Sequence, residues 1–157
     1  MTRSPDEFYD LLCRRRVTVL NQTPSAFGQL ISSDRRLGRE GELNLRVVVF
    51  GGEALDPAML APWIDRHGDA NPQLVNMYGI TETTVHVTYR RIGQSDIERR
   101  HGSVIGTPMS DLSLQLLDED LQPASPGALG EVAVGGAGVA RCYLHRPALT
   151  AQRMVPD

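Results

Sequence analysis

A nine-residue segment in the middle of the chain, residues 76–84, carries the side chains best suited to chemistry. Its sequence is Asn-Met-Tyr-Gly-Ile-Thr-Glu-Thr-Thr, and it follows a short apolar run, which predicts a strand that leads into a polar loop. Tyr78 can stack on a planar base, Gly79 lets the backbone approach a ligand, and Glu82 can bind a hard cation such as Mg2+. The three threonine hydroxyls can donate hydrogen bonds to phosphate oxygens. Together these groups indicate a nucleotide-phosphate site, although a polar turn between two strands can have a similar composition.

The composition limits the class of protein. The chain has 157 residues, enough for one domain-sized core, and a formal net charge of -3 with both signs scattered, which argues against a nucleic-acid-binding surface. No apolar run approaches the roughly 20 residues of a membrane span, and the polar N-terminus is unlike a signal peptide. The two cysteines, Cys13 and Cys142, have neither metal-ligand spacing nor the pattern of a disulfide framework. A cytoplasmic protein without nucleic-acid or membrane partners is therefore predicted.

The basic residues are unusual in kind. All sixteen are arginines, and the sequence contains no lysine. Any reaction that needs a lysine amine is therefore beyond this chain alone.

Apolar strands alternate with amphipathic helices over the first half of the chain. This alternation predicts an α/β fold with part of a parallel sheet flanked by helices. Ser4, Pro5 and Glu7 have the spacing of a helix start with a capping box. The predicted strands are residues 17–21, 45–50 and 74–77, and the predicted helices begin at Ser4, Ala26 and Pro57, with a polar loop over residues 32–42.

The carboxyl ends of the predicted strands carry polar or glycine-rich segments. Ligands of parallel sheets gather at these ends. Asn21, the Gly51–Glu53 segment and residues 76–82 all fall there. The pattern alone therefore places three candidate ligand-binding segments at one edge of the sheet.

The pattern changes after residue 84. Val85, Val87 and Tyr89 alternate with polar residues, which predicts a half-exposed strand, and residues 90–102 are predicted to be a surface loop in which Asp96 is solvated. Short strands are predicted at residues 104–108, 112–117 and 131–134. Because no helices separate them, they predict a small antiparallel barrel or distorted sheet, and Pro147 is predicted to begin a helix. The predicted parts are an α/β part at 1–84, a mainly β part at 85–146 and the start of a helix at 147–157.

Three segments, in the same order along the chain, resemble one protein family. Residues 76–82 resemble the Asn-x-Tyr-Gly-x-Thr-Glu signature of the adenylate-forming (AMP-binding) superfamily, and with the following Thr-Thr they resemble adenylation domains of nonribosomal peptide synthetases. Residues 130–144 are similar to the family's Gly-Glu-Leu-x-Ile-x-Gly-x-Gly-Leu-Ala-Arg-Gly-Tyr segment. Residues 49–55 match its Gly-Gly-Glu-Ala strand end. The chain is thereby identified as an internal part of such a domain, with the corresponding partial fold.

The resemblance implies an amino-acid-activating ligase that uses ATP and Mg2+. ATP and an amino acid would form aminoacyl-AMP and pyrophosphate, and the acyl group would then pass to the phosphopantetheine thiol of a carrier domain. Thr81 is expected to contact the α-phosphate and Glu82 to bind Mg2+, so these two are the candidate catalytic residues. Tyr78 is expected to pack on adenine and Asn76 to hydrogen-bond its exocyclic amine. The remaining residues expected at the nucleotide are Gly51, Gly52, Glu53 and Gly79.

Six positions that read the substrate side chain in this family fall within the sequence, and their pattern resembles the pocket of threonine-activating domains. Asn21 and His86 can hydrogen-bond a hydroxyl, and the aliphatic members can pack against a methyl group. Buried polar partners would be left unpaired by an analogue without the hydroxyl. L-Threonine is therefore the expected substrate, with serine, 2-aminobutyrate and valine as the rivals. The six positions are Asn21, Val49, Gly51, Met77, Val85 and His86.

Several parts of the family's active site have no counterpart in these residues. The resemblance places the phosphate loop upstream of Met1, and the ribose-binding Asp, the hinge and the catalytic Lys downstream of Asp157. The isolated fragment is therefore expected to be inactive, and its expected partners are the carrier and condensation domains of one assembly line for secondary metabolites. The alternatives are a non-catalytic nucleotide-binding α/β module and an acyl-CoA ligase type of adenylate former. Thr83-Thr84 and the polar pair Asn21 and His86 argue against a fatty-acid substrate.

Overall fold

The computed structural model describes the chain in three stretches, and its residues divide into two compact units. The described stretches are residues 4–39, 41–99 and 102–155. The first unit comprises residues 1–78 and 89–106, and the second comprises residues 79–88 and 107–157.

The first unit is a sheet with helices, as the alternating pattern predicted. Its strands follow the order β1-β2-β3-β4, and the β1–β2 and β2–β3 pairs are parallel. The strands are β1 (Val19–Gln22), β2 (Val47–Phe50), β3 (Gln73–Tyr78) and β4 (Thr88–Ile92). The helices are α1 (Pro5–Arg15), α2 (Pro24–Leu37), α3 (Ala61–His67) and α4 (Gln94–Arg99), with a 3-10 turn at Pro57–Leu60 before α3.

Helix α1 begins as the sequence indicates. The Ser4 hydroxyl accepts a hydrogen bond from the backbone N–H of Glu7 at 3.5 Å, and Pro5 takes the first helical position. The helix ends at Arg15, and the residue that follows, Arg16, has a left-handed φ of 50°. Basic residues in the last turn, Arg14 and Arg15, suit the negative end of the helix dipole.

Helix α2 is longer than predicted, since it continues through residues 32–37 of the predicted loop and ends at Gly38, whose φ is 64°. The polar residues that favoured a loop include Asp34, which is 1% exposed on the inner face of α2. The Tyr9 hydroxyl donates to its carboxylate at 3.2 Å, and His67 Nε2 lies 2.9 Å from it. Arg66 Nε lies 3.0 Å from the same group. Because the carboxylate is satisfied by tertiary partners, it is stable inside the fold.

The core of the first unit is centred on aromatic side chains from three elements. Phe27 of α2 lies with its ring 5.0 Å from that of Phe50 and 4.8 Å from that of Trp63. All three rings are buried. This contact fixes α2 and α3 against the carboxyl end of β2, next to the glycine-rich segment that follows it.

The predicted surface loop at residues 90–102 is wrong in its first part. Strand β4 continues to Ile92, and helix α4 follows it. Asp96, predicted to be solvated, is 8% exposed, and it accepts hydrogen bonds from the Arg90 guanidinium and from the Gly93 N–H at 3.1 Å. Burial alone would raise the pKa of Asp96, but the hydrogen bonds from Arg90 and Gly93 outweigh it and hold that pKa below its usual value.

We expect Asp96→Asn to destabilise the protein at pH 7 by about 1–3 kcal/mol, because it breaks a buried charged hydrogen bond. A lowered folded-state pKa stabilises the fold above the ordinary carboxyl pKa, and this contribution is lost as the pH falls through the folded-state value. The free energies of unfolding of the variant and of wild type, measured in urea from pH 7 down to pH values below about 4, should therefore become more alike as the pH falls. Asp65→Asn, at an exposed carboxylate on α3, is the control. An equal effect of both variants at pH 7 would contradict the prediction.

The second unit contains a short 3-10 turn, a two-stranded antiparallel sheet and a terminal helix. Its two longer strands pair from Leu112 opposite Gly136 to Leu117 opposite Glu131. The strand at 112–117 and the helix start at Pro147 are confirmed, whereas the described residues form a two-stranded sheet rather than a barrel. The elements are the 3-10 turn Thr81–Thr83, β5 (Thr107–Pro108), β6 (Leu112–Leu117), β7 (Glu131–Gly136) and α5 (Pro147–Arg153).

The strand predicted from Val85 to Tyr89 is also wrong at its start. Strand β4 begins only at Thr88, because Thr84 and Val85 adopt positive φ values of 55° and 76°. The Val85 N–H donates to the Ile80 carbonyl at 3.2 Å, which closes the chain into a compact turn. Residues 85–87 of the predicted strand therefore form a turn, and only its last two residues belong to β4.

Candidate functional site

The carboxyl ends of three parallel strands lie side by side in the first unit, as the sequence pattern predicted. Asn21 of β1 is opposite Val49 of β2, and Val49 is opposite Val75 of β3. Phe50 is opposite Asn76 at the last paired position. The polar and glycine-rich segments that follow these strands therefore start from one edge of the sheet.

Three of the residues predicted to form the substrate pocket share one face of this sheet. Asn21 and Val49 are paired in register, and Met77 lies two residues beyond Val75 on the same face. Asn21 is exposed, and Val49 and Met77 are half-buried. Gly51 follows the end of β2, where its N–H donates to the Gln22 carbonyl at 3.4 Å. The first unit thus brings together one amide, two apolar side chains and a glycine.

The Gly51–Glu53 segment is tied to the start of helix α2. The Glu53 carboxylate accepts hydrogen bonds from the Ser25 hydroxyl at 2.9 Å and from the Ser25 N–H at 3.1 Å. These bonds lower the pKa of Glu53, so it is ionised at neutral pH. Gly52 has a φ of 81°, a conformation that favours glycine. The carboxylate of Glu53 therefore fixes the shape of the segment.

Asn76 and Tyr78 project to the opposite face of β3 from Met77. Asn76 is 2% exposed, and its Nδ2 donates to the Val104 carbonyl at 2.9 Å. The Nδ2 donor is thus engaged with the protein, which leaves Oδ1 as the acceptor that the expected hydrogen bond from an exocyclic amine needs. The Tyr78 ring is 37% exposed and can offer a face to a planar ligand.

A segment that sequence reasoning overlooked supports this edge of the first unit. This segment is residues 103–104. The Val104 carbonyl accepts the hydrogen bond from Asn76, and the Ser103 hydroxyl accepts one from the backbone N–H of Leu55 at 3.1 Å. Leu55 follows the glycine-rich segment directly. Residues 103–104 therefore hold two of the candidate ligand-binding segments in place, and no local sequence motif announces them.

Two of the three threonine hydroxyls in the central segment are used by the fold of the second unit. The Thr83 hydroxyl donates to the Ile80 carbonyl at 3.1 Å and accepts from the Ile80 N–H at 3.2 Å. The Thr84 hydroxyl donates to the Gly138 carbonyl at 2.6 Å. Among the described residues, Thr81 is the one of the three whose hydroxyl has no hydrogen-bond partner, and its side chain is exposed, so this hydroxyl is the one left to donate to a phosphate.

The reason for glycine at position 79 also differs from the expected one. A Cβ atom there would lie 2.1 Å from the Val85 carbonyl oxygen and 3.0 Å from the His86 Cα. The missing side chain therefore makes room for the chain's own backbone in the turn that follows the 3-10 helix. The approach of a ligand is not needed to explain it.

Glu82 is held at both its backbone and its side chain by the segment after β7. The Ala140 N–H donates to the Glu82 carbonyl at 2.7 Å, and the Tyr143 hydroxyl donates to Glu82 Oε1. The hydrogen bond from Tyr143 lowers the pKa of Glu82, so this half-buried carboxylate is ionised at neutral pH. Sequence reasoning missed the role of Tyr143, although this tyrosine belongs to the family-like segment at residues 130–144.

Val85 and His86 lie in the turn between the 3-10 helix and β4. Val85 is 60% exposed, and its positive φ is rare for a β-branched residue. His86 is half-buried, and its N–H donates to the Thr84 carbonyl at 3.1 Å. Backbone conformations of this kind cluster at active sites and ligand-binding turns, which makes this turn a candidate part of the site.

Comparison with known proteins agrees with this geometry. The family model of the AMP-binding enzymes matches residues 1–144. The chain is 51% identical over its whole length to a dimodular nonribosomal peptide synthase of Bacillus subtilis (strain 168), of which it spans 7%. It is 47% identical over 99% of its length to syringomycin synthase SyrB1 of Pseudomonas syringae pv. syringae, of which it spans 25%.

Among solved structures, the fold is similar to that of PA1221, described as a nonribosomal peptide synthetase protein with adenylation and PCP domains. The TM-score is 0.80 at 30% identity, covering 96% of this chain and 29% of that one. The chain therefore belongs to the AMP-binding enzyme family, as part of an adenylation domain of the nonribosomal peptide synthetase type.

Proposed function

We propose that the chain contributes to the activation of an amino acid as its adenylate. A carboxylate oxygen of the amino acid attacks the α-phosphorus of ATP, the bond to the bridging oxygen breaks, and pyrophosphate leaves. A carrier thiolate then attacks the acyl carbon and releases AMP. The observation that carries the proposal is the alignment of Asn21, Val49 and the start of the central segment at the ends of three parallel strands.

The residues of the first unit are proposed to bind the nucleoside part of ATP. Tyr78 presents a partly exposed ring for stacking on adenine. Asn76 offers its Oδ1 to the exocyclic amine, since its Nδ2 is engaged by Val104. Gly51, Gly52 and Glu53 form the wall beside the base, with the backbone held by the Glu53–Ser25 hydrogen bonds. The base is thus recognised by a rigid strand and a fixed loop.

Two residues of the second unit are proposed to act on the phosphates. Thr81 donates its exposed hydroxyl to the α-phosphate, where charge builds up during the attack. Glu82 supplies an ionised carboxylate to Mg2+, and Gly79 sets the turn that places both residues. When bound, Mg2+ would neutralise charge on the phosphate oxygens.

The donor set fits a metal ion that arrives with its nucleotide. Within residues 4–39, 41–99 and 102–155, no group of three or more His, Cys, Asp or Glu side chains could hold a metal ion. Mg2+ keeps several waters and is usually bound through one or two carboxylates together with substrate phosphates. A single ionised carboxylate such as Glu82 is therefore adequate for MgATP and inadequate for a stored metal.

The substrate is proposed to be L-threonine. Asn21 and His86 would hydrogen-bond its hydroxyl, while Val49, Met77 and Val85 would pack against its methyl group, with Gly51 leaving space. The position of Asn21, Val49 and Met77 on one face of the sheet supports the part of this pocket that these three residues form. A hydroxyl-binding site rejects analogues that lack the hydroxyl far more strongly than an apolar pocket rejects a smaller side chain.

The same proposal includes the partners. The carrier domain would offer its phosphopantetheine thiol, and a condensation domain of the same assembly line would use the product for a secondary metabolite. The chain contains no lysine, so a catalytic lysine would have to come from outside these 157 residues. We therefore expect the isolated chain to be inactive. No described helix has both the length and the apolar character needed to cross a bilayer, and we propose a cytoplasmic location.

The test is amino-acid-dependent exchange of labelled pyrophosphate into ATP by the synthetase that contains this chain. L-Threonine is expected to give the highest rate, with valine and 2-aminobutyrate at least about 100-fold lower and serine roughly 10- to 200-fold lower. A preference for another amino acid would reject threonine. Exchange supported only by fatty acids would favour an acyl-CoA ligase, and nucleotide binding without exchange would favour a non-catalytic module.

A further inference from the structure

Tyr143 makes a contact with the central segment that no role described so far explains. Its hydroxyl donates a hydrogen bond to Glu82 Oε1 from 61 residues further along the chain. Its own backbone N–H donates to the Thr150 hydroxyl at 3.0 Å, which in turn donates to the Arg146 carbonyl at 2.9 Å. The backbone of Tyr143 is therefore tied to the first turn of helix α5, and its side chain is half-buried.

The segment that carries Tyr143 also fixes the backbone around Glu82. The Ala140 N–H binds the Glu82 carbonyl at 2.7 Å, and the Gly138 carbonyl accepts from the Thr84 hydroxyl at 2.6 Å. A Cβ atom at position 138 would lie 3.6 Å from the Thr83 carbonyl oxygen, so the segment runs close to residue 83. Residues 138–143 thus hold the carbonyl of Glu82, its carboxylate and the hydroxyl of Thr84.

This arrangement restricts a side chain that would otherwise be mobile. A glutamate loses rotamer entropy when a ligand fixes it, and that loss weakens binding. A partner that already holds one carboxylate oxygen removes part of the penalty before the ligand arrives. Hydrogen bonds to metal-binding carboxylates have this effect in general, and their removal typically weakens metal affinity about 10- to 100-fold.

We propose that Tyr143 is a positioning residue, which orients the Glu82 carboxylate toward the metal ion of the bound nucleotide. The inference rests on the proposed function, because it gives Glu82 the metal. Tyr143 itself touches neither metal nor substrate in this proposal. Its hydroxyl is hydrogen-bonded to Oε1 of Glu82, and this leaves Oε2 of Glu82 directed toward the metal ion.

The test compares wild type with Tyr143→Phe in the synthetase that contains this chain. Titration with Mn2+ in the presence of a non-hydrolysable ATP analogue, followed by electron paramagnetic resonance, reports metal binding without turnover. We expect Tyr143→Phe to weaken Mn2+ about 10- to 100-fold. The Mg2+ concentration for half-maximal exchange should rise in parallel, with the rate recovering at high Mg2+. Tyr89→Phe, at an exposed tyrosine of β4, should match wild type.

A double-mutant cycle separates positioning from a general effect on folding. If Tyr143 acts through the Glu82 carboxylate, Tyr143→Phe should have little further effect on Mn2+ affinity in a Glu82→Gln background. An equal loss in both backgrounds, or wild-type affinity in Tyr143→Phe alone, would overturn the inference while leaving the proposed function standing. Failure of the wild-type protein to bind Mn2+ with the nucleotide would instead reject the proposed function, and the inference with it.

Discussion

Glu82→Gln is expected to lower threonine-dependent pyrophosphate exchange by at least about 100-fold, because it removes the charge proposed to meet Mg2+. The substitution is nearly isosteric, and the amide oxygen can still accept the Tyr143 hydrogen bond. The fold should therefore be preserved, and the loss should appear in the chemistry. Exchange rates measured over a range of Mg2+ concentrations check the prediction, since additional Mg2+ should restore little activity.

Glu119→Gln is the matched control for this experiment. Glu119 is an exposed glutamate of the same unit, in the turn after β6, and its loss of charge should leave exchange unchanged. Equal activity of Glu82→Gln and wild type at limiting Mg2+ would mean that the metal is bound elsewhere.

Gly79→Ala is expected to have the largest effect on the fold. The added Cβ would lie 2.1 Å from the Val85 carbonyl oxygen and 2.8 Å from its carbon, and both belong to the main chain of a tight turn. Backbone atoms cannot rotate away as a side chain can. We expect destabilisation of about 3 kcal/mol or more and loss of exchange activity, since the turn also carries Thr81 and Glu82.

Gly28→Ala is the control with the same chemical change. The Cβ of residue 28 would lie 3.3 Å from the terminal carbon of Met59, which can move, and the position is inside helix α2. Alanine there should be neutral or stabilising by up to about 1 kcal/mol. The prediction is tested by measuring the melting temperature and the pyrophosphate exchange rate of both variants. A Gly79→Ala protein with the melting temperature and activity of Gly28→Ala would show that the turn can relax.

The sequence was informative where local patterns and spacing decide the outcome. Continuous apolar strands separated by helices predicted a parallel sheet, and the structure shows β1, β2 and β3 pairing in parallel, with Asn21 and the central segment at one edge. Ser4 marked the start of α1 because its hydroxyl accepts a hydrogen bond from a nearby backbone N–H. These features depend on neighbours in the chain.

The predictions failed where a partner distant in the chain decides the environment. Asp34 is buried because Tyr9 and His67 satisfy it, and no local pattern shows that. The same holds for Asp96, although its partner Arg90 is only six residues away, since the bend between β4 and α4 brings the two together. Charged residues are ordinarily exposed, so their burial requires knowledge of the fold.

The candidate site shows the same limit. Side-chain type suggested three threonine hydroxyls for phosphate, but Thr84 binds the Gly138 carbonyl 54 residues away. The sequence did not indicate Tyr143 as a partner of Glu82, because the two residues are 61 positions apart in the chain. The positive φ of Val85 could not be foreseen either, because β-branched residues disfavour it and only the surrounding turn imposes it.

The most direct measurement is a crystal structure of the whole adenylation domain that contains this chain, with Mg2+ and a non-hydrolysable ATP analogue. We predict a Glu82 carboxylate oxygen at about 2.0–2.1 Å from Mg2+, with Tyr143 on the other oxygen, and the adenine stacked on Tyr78. A metal ion bound by other residues, with adenine away from Tyr78, would contradict the assignment of the central segment.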